Sequence, residues 1–189
     1  MVLMLTYSVS INECIISTYM NNRPIICEKR REIMTVLKDS FRYSAEDVAN
    51  YVIVYCGSKR KIITNLILQK ILYFIEGEFF KYDRDVISED FCAWKLGPVI
   101  PSVYKTFSIY GGSRLLPSSK QPGEIREEDR EIINAVVDKW IDVPVWEIVQ
   151  VTHDTDPWKD TYNIFGRWAR ISKSSMKRYF ENIEKIRRS

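Results

Sequence analysis

A chain of 189 residues is long enough to bury one sizeable core and short for two, so one domain with an appendage is expected. An apolar share of 46% beside 28% charged residues excludes a disordered chain, and an aromatic share of 13% is rich for a globular one. The net charge of +3 conceals a split, since residues 43–166 sum to −5 while residues 23–42 carry +3 and residues 167–189 carry +6, an acidic body between basic ends.

Residues 1–20 are apolar but lack a basic leader and a small-residue cleavage site, and Ser8, Ser10, Asn12 and Glu13 interrupt them, so they do not read as a secretory signal. Residues 27–38 suit a short helix that adds little core. Residues 1–43 are therefore expected to form an N-terminal arm, either separate or packed on the domain, and Met34 would serve as an alternative start. Cys14, Cys27, Cys56 and Cys92 form no CxxC pair and His153 is the only histidine, which argues against a zinc site or a disulfide framework. Reduced thiols in a cytoplasmic protein are expected.

The domain, residues 44–189, opens at Ser44, where the SAED sequence reads as a capping box with Asp47 reaching back to the cap amide. The helix that follows runs to about Cys56, stops at Gly57, and presents Val48, Tyr51, Val52 and Tyr55 to a neighbour. Residues 62–80 are apolar on nearly every side of a helix capped by Thr64, with Asn65, Gln69 and Glu76 on one narrow stripe expected to meet water or a partner. Such a helix is central, and it is too short and interrupted to span a membrane. Phe91 to Leu96 alternates as a short strand that Gly97-Pro98 breaks with a turn.

Pro101 fits the first turn of a helix through about Tyr110, with Val103, Tyr104 and Phe107 inward and Gly111-Gly112 as its stop. After a loop over 113–124, the acidic first turn at Glu127, Glu128 and Asp129 starts a helix whose face is Ile132, Ile133, Val136, Val137, Trp140 and Ile141. Pro144 starts another, which Asp156-Pro157 closes. Residues 159–171 are expected to be irregular, with a short strand at Trp168 to Ile171, and Ser172 to cap a final basic helix whose inner face is Met176, Tyr179, Phe180 and Ile183. The fold class is mainly α, a helical domain around a buried central helix with a minor β element.

In this order SAEDVANYVIVYCG, ITNLILQKILYFIEGEFF, AWKLGPVIPSVYKTF, WEIVQVTHDTDPW and MKRYF resemble the Panacea domain of SocA-like antitoxins, over about residues 44–183. AWKLGPV and THDTDPW are the specific parts. The resemblance implies a non-enzymatic protein, often prophage-associated, that binds and neutralises a cognate protein toxin. In one branch it implies an adaptor that hands the toxin to a Clp-type protease.

Read from the residues alone, His153, Asp154 and Asp156 are the one acid–base or metal candidate, and a helix cap or a buried histidine accounts for them more simply, so no catalytic, metal or cofactor residue is assigned. Trp94 with Gly97-Pro98 reads first as a core anchor beside a turn. The functional alternative is a partner groove taking in Gln69, Tyr73, Trp94, Lys95, Gly97, Pro98, His153 and Trp158. Two other function classes stay open: a nucleic-acid-binding regulator of a mobile element, supported by the basic ends alone, and a small enzyme using His153 and its neighbouring aspartates.

Overall fold

The computed structural model describes residues 42–118 and 123–188, so the arm, the Met34 start, Cys14 and Cys27 lie outside the described residues. Helix α1 spans Ala45–Ser58, α2 Asn65–Phe80, α3 Pro101–Phe107, α4 Glu127–Trp140, α5 Val145–His153, α6 Asp156–Phe165 and α7 Lys173–Arg188. A two-stranded antiparallel sheet, β1 Cys92–Trp94 with β2 Gly97–Val99, is inserted between α2 and α3, and the fold is mainly α with minor β. No helix among the described residues is long and apolar enough to cross a membrane.

Helix α2 is the centre, as its all-round apolarity requires. Helices α1, α3, α4, α5 and α7 and strand β2 all pack against it, and Leu68, Ile71, Leu72, Tyr73, Ile75 and Phe79 are buried to completion. Thr64 accepts the Ile67 amide as the N-cap. Gly77 leaves room for α7: a Cβ there would lie 2.4 Å from the Phe180 ring, inside contact distance. The polar stripe does not face water. Asn65, Gln69 and Glu76 are all buried, and so is Lys70, while Ile62 is 63% exposed and Leu66 and Ile67 are half-buried. Amphipathic logic inverts here because the polar groups hydrogen-bond connecting segments that lie inside the domain, and a satisfied polar group can be buried.

Ser44 caps α1, but Asp47 does not close a capping box. Its carboxylate takes the Ser44 hydroxyl at 2.6 Å and the Gly123 amide at 2.7 Å, tying the loop before α4 to the start of α1. Val48 and Val52 enter the core, whereas Tyr51 and Tyr55 reach across to Asn134 and Asp138 on α4. Tyr43, placed in the arm by the sequence, is buried and pairs with the 86–88 segment through Tyr43 N–H to Val86 O at 2.8 Å and Ser88 N–H to Tyr43 O at 2.9 Å. Its hydroxyl donates to Asp129 at 2.6 Å, and Arg84 forms a two-pronged pair with the same carboxylate. Asp129 stands in the acidic first turn of α4 as expected and is at the same time a fully buried ion-pair partner.

Three further expectations change. The turn falls at Lys95-Leu96, with Ala93 opposite Pro98 and Trp94 opposite Gly97, so Gly97-Pro98 opens the second strand instead of breaking the first. Proline is tolerated there because a two-stranded ribbon is all edge. Asp156-Pro157 opens α6 where the sequence had an irregular segment, because a proline in the first helical turn forfeits no hydrogen bond. Tyr104 stays 39% exposed while Val103 and Phe107 are buried. The expected strand at Trp168 to Ile171 is a turn through Arg167 and Trp168 followed by a single bridge between Cys92 and Arg170 beside β1, with the Trp168 amide bonded to Ala93 O at 2.9 Å and the Ile171 amide to Phe91 O at 2.8 Å.

Candidate functional site

The N-terminal half of α2 carries its polar residues on the side that faces the hairpin and the α5–α6 junction. Asn65 donates through Nδ2 to Tyr104 O at 3.1 Å and accepts Gln69 Nε2 at 3.0 Å, and Gln69 Oε1 accepts the Ile100 amide at 2.9 Å. One turn of amides thereby fixes the exit of β2 and the first turns of α3. Lys70 extends fully buried to Pro98 O, 3.0 Å away, and burial lowers its pKa to about 7. Tyr73 reaches Thr155 at 3.0 Å, and because the Thr155 hydroxyl donates onward to Thr152 O at 2.7 Å, Tyr73 is the donor.

Gly97 is the point where these parts meet. Its φ of +99° suits glycine, and a Cβ there would come within 2.7 Å of Thr152 Oγ1 and 2.8 Å of Lys70 Nζ. Any side chain would push the hairpin off both α2 and α5. From the other flank Trp158 donates its indole N–H to Trp94 O at 3.1 Å and stacks on His153, with ring centroids 4.0 Å apart and planes 6° from parallel. Burial, then the nearby Lys70 charge, lowers the His153 pKa against the opposing pull of Asp154 and the Lys95 backbone.

All the residues singled out from the sequence therefore converge on one region, but they do not share one role. Gln69, Tyr73, Gly97, Pro98 and Trp158 are buried and hold the hairpin in place; Trp94 and His153 are half-buried, and Lys95 is exposed. Trp94 is not the core anchor of its structural reading. It stands outside the main core, edge-on to Tyr104 at 4.8 Å and to Trp168 at 4.3 Å. Its indole N–H is sealed from solvent and has no acceptor among the described residues. Trp168 is 64% exposed at a φ of 74°, a conformation that costs an L-residue on the order of 1–2 kcal/mol.

Lys70, Thr152, Thr155, Tyr104, Arg167 and Trp168 were not among the expected site residues. A lysine beside Gln69 in an otherwise apolar helix is a signal that could have been used, since it widens the internal polar stripe. Nothing local marks Trp168, whose position depends on the chain passing beside β1. His153 and its aspartates do not converge: Asp154 accepts Gln150 Nε2 at 2.9 Å, Asp156 is exposed, and no group of three or more His, Cys, Asp or Glu side chains is arranged to hold a metal among the described residues. Cys56 and Cys92 are free thiols, the first buried and the second half-buried.

Residues 68–159 match the family model described as the Antitoxin SocA-like, Panacea domain. Antitoxin SocA of Caulobacter vibrioides (strain NA1000 / CB15N) is 40% identical over 75 residues, a stretch that covers 39% of this chain and 40% of that protein. The chain thus spans well under half the length of this curated relative. No solved structure gives a significant match. The matched window runs from within α2 to within α6 and takes in Gln69, Lys70, the hairpin, His153 and Trp158, while Asn65, Arg167, Trp168 and α7 lie outside it.

Proposed function

With residues 68–159 matching the Panacea domain of SocA-like antitoxins, we propose that this chain is an antitoxin that neutralises a cognate protein toxin by binding it. The observation that carries the reading is that the family match coincides with the part of the fold where buried polar residues of α2 brace the hairpin against α5 and α6. A rigid platform of that kind is what a recognition surface requires, since residues locked by packing present the exposed ones in one geometry. The reading gives His153 no chemistry: it is stacked on Trp158, its pKa is lowered by burial, and it acts through the position of Trp158 and the hairpin turn.

The proposal places the binding surface in residues 44–189 and makes neutralisation stoichiometric. Expressing the adjacent gene alone should arrest growth, and co-expressing this chain should restore it through a complex that survives purification, at amounts comparable to the toxin. A harmless neighbour would sink the reading. Delivery of the toxin to a Clp-type protease is the variant that permits rescue below one copy per toxin, and in that case protection should vanish in a host lacking the protease.

A further inference from the structure

A groove of about 370 Å³ runs between the N-terminal half of α2, the hairpin, α3 and the bend at residues 167–168. Its walls are aromatic and aliphatic, from Leu66, Trp94, Tyr104 and Trp168, and Tyr104 and Trp168 are 39% and 64% exposed. Its charge is of one sign. Lys95 and Arg167 line it, and no aspartate or glutamate does, although residues 43–166 as a whole sum to −5. Lys59, Lys61, Arg130, Arg170 and Lys177 each pair with a carboxylate; the side chains of Lys95 and Arg167, like those of Lys105, Arg114, Lys159 and Arg178, have no acidic partner among the described residues.

From these features we infer that the groove is a docking site for an acidic linear segment of a partner protein, a segment that places an aromatic or aliphatic side chain next to an Asp or Glu. The apolar side chain sits among Trp94, Tyr104 and Trp168, burying surface that is now wet, and the carboxylate lies against Lys95 and Arg167. Charge complementarity selects the sign of the segment, since a basic peptide would meet two unscreened cations. Naming the partner as the toxin rests on the antitoxin reading. The chemistry of the groove does not.

The test uses the full chain, first against a displayed library of random twelve-residue peptides and then against the recovered peptides as synthetic probes. The expected result is enrichment of an aromatic or large aliphatic residue beside Asp or Glu. Affinity should fall at least tenfold in Trp168→Ala and in the double variant Lys95→Glu/Arg167→Glu, with melting curves confirming that both fold. A peptide with its acids changed to lysine should bind that double variant better than the wild type. Enrichment without acids, no enrichment, or affinity indifferent to both variants would overturn the proposal. So would a wild-type dimer that Trp168→Ala turns into a monomer, which would make a second copy the occupant, or a gain in peptide affinity on removing residues 1–41, which would make it the chain's own arm. The same variants, tried against the neighbouring gene product, keep the two readings apart. A complex that ignores them defeats the groove and leaves the antitoxin, and acidic peptides selected beside a harmless neighbour defeat the antitoxin and leave the groove.

Discussion

The two halves of α2 bury polar side chains in opposite ways. In the C-terminal half Glu76 accepts the Val86 and Ile87 amides at 3.2 and 2.9 Å and meets Lys173 Nζ at 2.9 Å, so α7 brings the countercharge with it. Just beyond, Arg84 lies 5.0 Å from the centre of the Phe79 ring and is buried with Asp129. In the N-terminal half Asn65, Gln69 and Lys70 meet only amides and carbonyls, and among the described residues Lys70 has no anion within hydrogen-bond range, only Pro98 O. The first half is cohesive, since its charges join distant elements of the same chain. The second positions a hairpin whose outer face is a groove with unpaired cations, so its buried polarity supports a surface.

The largest effect should come from breaking the cohesive end. Arg84→Ala or Asp129→Ala leaves a buried charge without its partner and should cost on the order of 3–5 kcal/mol in urea unfolding, whereas replacing both with apolar residues should recover much of the loss. If the single variants were mild, the C-terminal half would not be the structural anchor. Next comes Lys70. Its folded pKa of about 7 lies below the ordinary 10.5, so between those pH values the unfolded chain binds more protons and stability rises with pH. That rise is at most about 1.4 kcal/mol per pH unit, on the order of 2–4 kcal/mol across the window, and Lys70→Met should abolish it. Equal pH profiles for the two proteins would show that Lys70 is not held as an uncompensated cation.

Gly77→Ala should destabilise by about 1–3 kcal/mol through the Phe180 contact, reversing the gain of about 1 kcal/mol that alanine ordinarily brings to a helix interior. Phe180→Leu in the same chain should restore part of it, and a double-mutant cycle on thermal midpoints measures the coupling. The smallest effect belongs to the groove. Trp168→Ala removes an exposed side chain and should shift stability by less than about 0.5 kcal/mol. A large loss there would assign Trp168 to cohesion and erase the contrast between the two ends.

Much of this could be read before any coordinates. The all-round apolarity of residues 62–80 required a central helix, Ser44 and Thr64 were recognisable caps, and Phe91 and Ala93 alternated with Cys92 and Trp94 as a strand should. The misreadings share a cause. The polarity of Asn65, Gln69 and Glu76 points to water or a partner, and polarity does not say whether a partner waits inside the fold. Asp156-Pro157 reads as a stop because proline ends a helix and begins one with equal ease, and in the fold it stands in the first turn of α6 behind an N-cap, Thr155, that makes no side-chain cap bond.

By itself the sequence determined the described helices other than α6 and which helix is central, because periodicity and caps act within a few residues, and it carried the family resemblance in AWKLGPV and THDTDPW. Tertiary structure alone decided which polar groups are internal and where the groove lies. The groove takes Leu66, Trp94, Tyr104 and Trp168 from four separate stretches, and Trp168 reaches it only because its own backbone, bonded to Ala93, is held beside β1. A surface assembled from such distances has no local period, so it becomes visible only when the chain has closed on itself.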